Sequence, residues 1–195
     1  MMDQPEYRFF RAFVNISKAI SSTLDLKEVL DLIVKNAVDF LELKAGAISL
    51  WNKQENRLEM IAHLNLSREF LDKGPVYADR SMPRALTTKK PVIIPNINHD
   101  SQLQYPEACK KEGIKAILSI PIIFKDDVIG VLRLFDSRVR MFSKEEVEFM
   151  TALAEMGGIA INNALFMKQL KKDHAREMDE LWNWYSDMID RPDYQ

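Results

Sequence analysis

The most reactive side chains in this sequence are one cysteine, Cys109, and three histidines, His63, His99 and His174. A single thiol cannot form an internal disulfide, and the chain has no second thiol to complete a cycle of oxidation and resolution. The histidines lie far apart, and no cysteine and histidine cluster has the spacing of a zinc site. The sequence also has neither a glycine-rich phosphate loop nor a nucleophile elbow. We therefore predict no catalytic residue, no metal site and no enzymatic activity.

Charge and hydropathy restrict the classes of partner. The 27 Lys and Arg residues are nearly balanced by 29 Asp and Glu residues, which argues against nucleic-acid binding by broad neutralisation of phosphates. No apolar run approaches the roughly 20 residues needed to cross a bilayer, and the polar start does not resemble a signal peptide. Together with the single cysteine, these features predict a cytoplasmic protein that binds neither nucleic acid nor membrane.

Two apolar stripes of helical period predict helices in the first part of the chain. The first covers 5–23 and is too short to be stable alone, so its stripe must pack against another surface. The members of this stripe alternate spacings of four and three residues: Phe9, Phe13, Ile16 and Ile20. A second helix is predicted to begin at Asp25, because Asp25 and Glu28 fit a capping box and a wide apolar face follows.

Alternating or continuous apolar patterns then predict five strands, over 45–51, 58–64, 92–94, 114–124 and 128–135. Short polar turns join the first two strands and the last two, which indicates antiparallel hairpins. Pro121 indicates a bulge or an unpaired edge within its strand. The intervening segments predict an irregular stretch at 65–80 and short helices from Ser81 and over 106–112.

A long final helix is predicted to begin after Ser143, which forms a capping box with Glu146, and to continue toward residue 188. Its apolar positions follow an imperfect heptad with polar interruptions, at Ala160, Met167, His174, Leu181 and Met188. Such imperfect seams are typical of signalling helices that alternate between two packings. Hairpin strands between helical segments predict an α+β fold with a mainly antiparallel sheet.

Several segments resemble, in order and spacing, the motifs of the GAF domain family. They are the opening helix at Leu24-Asp25-Leu26-Lys27-Glu28-Val29-Leu30, the short third strand at Lys90-Pro91-Val92-Ile93-Ile94-Pro95-Asn96, the strands at 113–122 and 128–134, and the start of the last helix at 142–154. The resemblance covers about residues 24–166 and rests on the combination of segments, since no single motif is specific.

The resemblance implies a GAF-like, PAS-related α+β fold with a central antiparallel sheet of about six strands. The N- and C-terminal helices would lie on one face, and short helices and loops would cover a pocket on the other. Members of this family sense cyclic nucleotides, tetrapyrroles, haem, metabolites or no known ligand. Phe135-Asp136 stands where the cyclic-nucleotide subclass has Asn-Lys, and Cys109 has no adjacent histidine as the bilin-binding subclass does. The cofactor is therefore left unknown.

Strand parity and the predicted lid segments indicate which residues would line such a pocket. They are Ser49 and Trp51 from the first strand, Ile117, Ser119 and Pro121 from a later strand, and Arg84, Asn98, His99 and Tyr105 from the lid. Among these, Arg84 is taken as the one cation able to pair with an anionic ligand.

The helices at the two ends predict a parallel homodimer. Its interface would include Phe9, Phe13, Ile16, Ile20, Met167, Met178, Leu181 and Tyr185. We divide the chain into an N-terminal signalling helix (1–23), a GAF domain (24–166) and a C-terminal helical extension (167–195). The predicted function is a small-molecule sensor that signals through the dimeric helices to an effector such as a histidine kinase. The alternative is a ligandless scaffold for dimerisation or protein interaction.

Overall fold

The computed structural model describes residues 5–22, 25–81 and 83–189, and its helices and strands follow the predicted order. The helices are α1 (Pro5–Ser22), α2 (Leu26–Leu41), α3 (Arg68–Leu71), α4 (Ala78–Ser81), α5 (Pro83–Thr88), a 3₁₀ helix (Ile97–His99), α6 (Pro106–Lys111) and α7 (Lys144–Ile189). The strands are β1 (Ala45–Asn52), β2 (Arg57–Leu64), β3 (Val76–Tyr77), β4 (Val92–Ile94), β5 (Ala116–Phe124) and β6 (Asp127–Asp136).

Within the described residues, the six strands form one antiparallel sheet in the order β3-β2-β1-β6-β5-β4. This confirms the predicted α+β fold. Pro121 pairs with Val131 of β6, while β4 contacts β5 only from Ile117 to Ser119. The proline therefore lies beyond the end of β4, where its missing N–H removes no ladder hydrogen bond. The predicted irregularity of β5 is a register shift between Ile122 and Ile123.

The predicted caps begin the two long helices that cover one face of the sheet. Asp25 accepts a hydrogen bond from the Lys27 backbone N–H at 2.9 Å, which satisfies a donor in the first turn of α2. Ser143 and Glu146 form a reciprocal capping box at the start of α7, with N···O distances of 2.8 and 3.2 Å. The Phe40 and Phe149 rings then pack edge to face between α2 and α7, with centroids 4.5 Å apart.

Two adjacent glycines let α7 approach its neighbours closely. A Cβ built on Gly158 would lie 2.9 Å from the backbone oxygen of Ile123 in β5, whereas one on Gly157 would lie 3.5 Å from the Ile33 side chain. The first distance is a clash with backbone, and the second is ordinary van der Waals contact. The helix can therefore accept a methyl group at Gly157 and not at Gly158.

We expect Gly158→Ala to lower the free energy of unfolding by about 1–2 kcal/mol, because the clash outweighs the gain in helix propensity. Gly157→Ala, the matched control, should raise it by up to about 1 kcal/mol through helix propensity alone. Urea unfolding of both variants measures the difference. Equal effects of the two substitutions would contradict the packing described for Gly158.

The segment 65–80, predicted to be irregular, contains α3, β3 and the beginning of α4. Each of these elements is too short for its residues to show a period. β3 exists because Val76 and Tyr77 pair with β2, and α3 exists because Ser67 caps it and Phe70 is buried. Tertiary contacts, which local sequence does not reveal, thus stabilise β3 and α3.

The chain forms two compact units, Met1–Ala160 and Ile161–Gln195. In the first unit α1 packs against α2, and Ile16 is fully buried. The second unit contains the C-terminal part of α7. No helix in the described ranges has the length and apolar character needed to span a membrane. The predicted domain boundaries after residues 23 and 166 remain predictions.

Candidate functional site

Short helices and loops form a lid over the sheet face opposite α2 and α7. The lid packs on the sheet through two apolar clusters. The first cluster joins the lid residues Phe70, Ile97, Cys109 and Ile114 to Ala45, Ala47, Ile117 and Phe135 of the sheet. The second joins Ala78 and Ala85 of the lid to Leu58 and Val131, with Trp51 packed beside them. The lid is therefore attached at two separate places along the strands.

A group of polar side chains, here called the polar row, lies between these clusters on the same face of the sheet. It consists of Ser49, Ser119 and Arg133. Both serines are buried, and the Nε atom of Arg133 is shielded from solvent. Arg133 pairs with Ala47 of β1 and Ser119 of β5, so small side chains flank it on both neighbouring strands. A cation is thus held near the middle of the sheet, beneath the lid.

The indole N–H of Trp51 is a further buried donor on this side of the sheet. It has no hydrogen-bond partner among the described residues. A buried donor without an acceptor is unfavourable, because its lost hydration is not replaced. The interior therefore offers a donor that an additional molecule could satisfy.

A cleft of about 500 Å³ opens between α3 and α6 in the lid. Its walls are formed by Ser67, Glu69, Phe70, Asp72, Lys73, Glu107, Ala108, Lys111 and Glu112. Lys73 belongs to both the cleft and the interior. Its Nζ donates a hydrogen bond to the Phe70 carbonyl at 2.9 Å and lies 3.9 Å from the centroid of the Phe70 ring.

The charges beside the cleft perturb one another. Burial, together with the nearby Arg133 guanidinium, lowers the pKa of Lys73. Burial also lowers the pKa of Arg133 to about 10, and it raises the pKa of the Cys109 thiol. With a pKa of about 10, Arg133 remains charged at neutral pH, and the raised pKa keeps the Cys109 thiol protonated.

Glu112, the residue after α6, connects α6 to the start of α3 through hydrogen bonds at one side of the cleft. Its carboxylate accepts hydrogen bonds from the backbone N–H of Ser67, at 3.1 Å, and from the Ser67 hydroxyl. The Nζ atom of Lys44 lies 3.5 Å from the Oε1 atom of Glu112. Burial raises the pKa of Glu112, but the hydrogen bonds from Ser67 outweigh burial, so its pKa is lowered overall. Since Ser67 also caps α3, this carboxylate anchors the helix that carries Phe70.

We expect Glu112→Gln to weaken this anchor and to lower the free energy of unfolding by about 1–2 kcal/mol, because charge-assisted hydrogen bonds are lost. Hydrogen exchange of the 67–73 backbone should become faster. The matched control is Glu107→Gln, which alters an exposed acid on the same helix, paired with Lys110 at 2.6 Å, and should change neither quantity. Unchanged exchange at 67–73 in Glu112→Gln would argue against the anchoring role.

The residues predicted from sequence to line a pocket separate into two groups. Ser49, Ile117, Ser119 and Pro121 are buried, and Trp51 is half-buried, on the face that the lid covers. The Tyr105 hydroxyl donates a hydrogen bond to the Pro75 carbonyl at 2.8 Å and joins two lid segments. In contrast, the lid residues Arg84, Asn98 and His99 are exposed. Whether any of them contacts a ligand remains a prediction.

A role for Arg84 in pairing with an anionic ligand remains a prediction. Two further cations on this side of the sheet are Lys73, which lines the cleft, and Arg133, which is half-buried on β6. Sequence reasoning passed over Arg133 because it lies within an almost continuously apolar strand. The signal was available, since a charged residue at an inward position of a buried strand is unusual. Lys73 could not have been found, because its loop has no periodicity. Among the described residues, no group of three or more potential ligands is arranged to hold a metal ion.

A lidded cleft on one face of an antiparallel sheet, with helices on the other, defines an α+β domain of the ligand-pocket type. The profile of the GAF domain family matches residues 25–161, which is more than half of the chain. The chain therefore belongs to the GAF domain family, as the sequence motifs predicted.

Two curated relatives are regulatory proteins by name. The formate hydrogenlyase transcriptional activator FhlA of Escherichia coli is 24% identical over 182 residues, covering 88% of this chain and 26% of that protein. An uncharacterized sensor-like histidine kinase of Chloroflexus aurantiacus is 22% identical over 166 residues, covering 85% of this chain and 27% of that protein. The chain thus spans about a quarter of the length of these relatives.

Solved structures show the same fold at low sequence identity. The GAF domain of a phosphoenolpyruvate-protein phosphotransferase from Coxiella burnetii superposes with a TM-score of 0.73 at 17% identity, covering 83% of this chain and 97% of that one. A free methionine-R-sulfoxide reductase from Neisseria meningitidis superposes with a TM-score of 0.70 at 10% identity, covering 86% and 95%. One of these neighbours is an enzyme, so the fold does not decide between regulation and catalysis.

Proposed function

We propose that this chain is a regulatory domain that binds a small molecule beneath its lid and transmits occupancy through its terminal helices in a homodimer. The observation that carries the proposal is the cleft between α3 and α6, on the side of the sheet that also carries the polar row. An apolar interior with a few convergent polar groups is the common form of a small-molecule site.

The named relatives support the regulatory part of the proposal. A transcriptional activator and a sensor-like histidine kinase both contain a region similar to this chain. We therefore propose that the effector is a transcription-activating or kinase module, in the same protein or in a partner. The proposal includes no catalysis, because the sole thiol is buried and its pKa is raised, which disfavours the reactive thiolate.

Ionic contacts connect the end of β6, the strand that carries Arg133, to the first turn of α7. Arg133 and Asp136 lie on the same strand, β6. Arg140 contacts the Asp136 carboxylate at 3.1 Å and also donates to Glu146 in the first turn of α7. A ligand that binds more tightly to one disposition of β6 and α7 than to another would shift the population between them.

Exposed apolar side chains on the terminal helices support the dimer. On α1, Phe10 is 62% exposed and Phe13 is 42% exposed. In the described part of the second unit, exposed apolar residues include Leu165, Phe166, Leu170, Met178, Leu181 and Trp182. Several large apolar groups at helical spacing need a covering surface, and a second copy of the same helix supplies one.

The residues predicted to form the dimer interface differ in their exposure to solvent. Phe13, Met178 and Leu181 are exposed and Met167 is half-buried, so each has surface available for a partner. Ile16 is fully buried within its own protomer, which the prediction of a dimer contact did not anticipate. The helix that carries Ile16, α1, packs on α2 of the same chain. The side chains of Phe9, Ile20 and Tyr185 lie outside the described residues.

Native mass spectrometry of freshly purified protein tests both parts of the proposal. We expect a dimer at micromolar concentration that retains a small molecule, and loss of that molecule on denaturation. A dimer without any retained or added ligand would favour the alternative of a ligandless scaffold. A ligand-free monomer would contradict the whole proposal.

The dimer surface is tested by Phe13→Glu combined with Leu181→Glu. Because charges would enter an apolar seam, we expect a shift from dimer to monomer in sedimentation experiments. Lys18→Glu, at an exposed position of α1, is the control and should leave the dimer intact. A double variant that stays dimeric would place the interface elsewhere.

A further inference from the structure

We infer that the amine of Lys73 forms a reversible imine with a small neutral aldehyde that occupies the cleft between α3 and α6. This inference rests on the proposed function and specifies the chemical class of the ligand at the same cleft. Its basis is geometric, since the cleft has a volume of about 500 Å³ and Lys73 and Lys111 are the primary amines that line it among the described residues. Lys111 is mostly exposed, whereas Lys73 is half-buried.

Lys73 follows α3 and is held at the wall of the cleft. Its Nζ donates a hydrogen bond to the Phe70 carbonyl at 2.9 Å and lies 3.9 Å from the centroid of the Phe70 ring. The Phe70 side chain is buried and packs edge to face on Phe135 of β6, with ring centroids 5.8 Å apart. The nitrogen is therefore held beside a residue that is itself fixed on the sheet. A positioned nucleophile loses less entropy when it attacks a bound electrophile.

Imine formation requires the uncharged amine, because the ammonium ion has no lone pair. Burial lowers the pKa of Lys73, and the nearby positive charge of Arg133 acts in the same direction. Cys109 and Glu112 act in the opposite direction without reversing the shift. The fraction of uncharged amine at neutral pH is therefore larger than in a solvated lysine. Desolvation beside another cation is one of the ways in which lysine is activated to form imines.

The reaction conserves charge and needs neither an oxidant nor a reductant. The Nζ of Lys73 attacks the carbonyl carbon, and a carbinolamine forms as the carbonyl oxygen takes up a proton. A C–N double bond then replaces the C–O bond, and the oxygen leaves as water. Overall, an ammonium ion and an aldehyde give a protonated imine and water, so one positive charge remains at Lys73. The negative charge of Glu112, which favours the cationic form of Lys73, favours this product as well.

The side chains of the cleft favour a neutral aldehyde over an anionic one. Phe70 and Ala108 provide apolar surface for a hydrocarbon group. An aldehyde that carries a carboxylate would meet an excess of acidic side chains, and like charges repel. Four acids and two lysines line the cleft, namely Glu69, Asp72, Glu107 and Glu112 with Lys73 and Lys111.

The test treats the full chain with benzaldehyde and sodium cyanoborohydride, which reduces an imine to a stable secondary amine. Peptide mapping by mass spectrometry then measures the rate of modification at each lysine. Lys111 is the internal control, because it is an exposed amine of the same cleft. The anionic probe is 4-formylbenzoate, with rates expressed relative to Nα-acetyl-lysine, and the competitor is benzyl alcohol, which cannot form an imine. Lys73→Arg keeps the cation and removes the nucleophile, and Lys111→Arg is the matched variant.

We expect benzaldehyde to modify Lys73 at least about fivefold faster than Lys111, because the bound aldehyde is held beside the nitrogen. The rate at Lys73 should saturate as the benzaldehyde concentration rises, and benzyl alcohol should slow it without affecting Lys111. Relative to Nα-acetyl-lysine, 4-formylbenzoate should modify Lys73 more slowly than benzaldehyde does. Lys73→Arg should lose the saturable phase, and Lys111→Arg should retain it. Because wild type is mapped residue by residue, the test does not depend on the folding of either variant.

Equal rates at Lys73 and Lys111 would overturn the inference, as would modification of Lys73 that neither saturates nor responds to benzyl alcohol. Preference of Lys73 for 4-formylbenzoate would overturn the assignment of a neutral ligand. A small molecule retained in native mass spectra, together with no preferential modification of Lys73, would overturn the imine and leave the proposed sensor function standing. Absence of any retained or added ligand would remove both.

Discussion

Asp136→Ala is expected to lower the free energy of unfolding by about 3 kcal/mol, which is a large part of the stability of a typical domain. The carboxylate is 1% exposed and accepts hydrogen bonds from the Arg138 backbone N–H at 2.8 Å, from the Arg138 side chain at 3.0 Å and from Arg140 at 3.1 Å. Its removal leaves Arg138 and Arg140 without their shared acceptor. The loop between β6 and α7 then loses its main anchor.

The matched control is Asp127→Ala at the opposite end of the same strand. Asp127 is 75% exposed and pairs only loosely with Lys53, at 3.2 Å, so its removal should change stability little. Chemical unfolding at neutral pH compares the two variants with wild type. Similar losses at both positions would show that the buried network contributes no more than a surface ion pair.

The same network predicts that the stabilisation contributed by Asp136 is lost at acidic pH. Burial raises the pKa of Asp136, but hydrogen bonds from Arg138 and Arg140 outweigh it, so the folded-state pKa is lowered. A group with a lowered folded-state pKa stabilises the protein fully above its unfolded pKa of about 4, and this contribution is lost as the pH falls through the folded value. The stability difference between wild type and Asp136→Asn should therefore be constant near neutral pH and narrow below about pH 4. A difference that stays constant into acid would contradict the ionised network.

Gly130→Ala is expected to lower the free energy of unfolding by a similar amount, about 3 kcal/mol. A Cβ at this position would lie 2.5 Å from the backbone oxygen of Ser49. Gly130 pairs with Leu50 on one side and Ile122 on the other, so the clash occurs between central strands that cannot move apart without breaking their ladders. The polar row should be disturbed as well, because Ser49 and Arg133 lie on these two strands.

The same substitution at Gly157 provides the control, since a Cβ there meets only ordinary contacts. Thermal unfolding of the two variants separates a local clash from a general effect of replacing glycine. Wild-type stability in Gly130→Ala would show that β1 and β6 are less closely packed than described.

Several features of the fold could be predicted because their causes are local. The cap at Asp25 and the box of Ser143 with Glu146 depend on residues within one helical turn. The hairpin of β5 and β6 follows from two apolar runs joined by a short polar turn. Their arrangement into one antiparallel sheet followed from the resemblance to a known family. Such signals need no knowledge of distant parts of the chain.

The lid and the charged interior could be predicted only in part. Parity correctly put Ile117 and Ser119 on the face that the lid covers, since alternate residues of a strand share a face. It did not reveal that Arg133 of β6 would stand opposite Ser119, because register between strands depends on the whole sheet. Nor did it reveal Lys73, whose loop is positioned by Phe70 and by the anchor of Glu112.

The amino-acid sequence alone thus determined the long helices, the strands other than β3, their order, the helix caps and the family, because each depends on neighbours along the chain or on motif spacing. Tertiary structure alone decided that Ile16 is buried within the protomer, that Arg84 is exposed, that Lys73 lines the cleft and that Arg133 stands opposite Ser119. These outcomes depend on contacts between segments far apart in sequence, and such contacts form only when the sheet, the helices and the lid pack together.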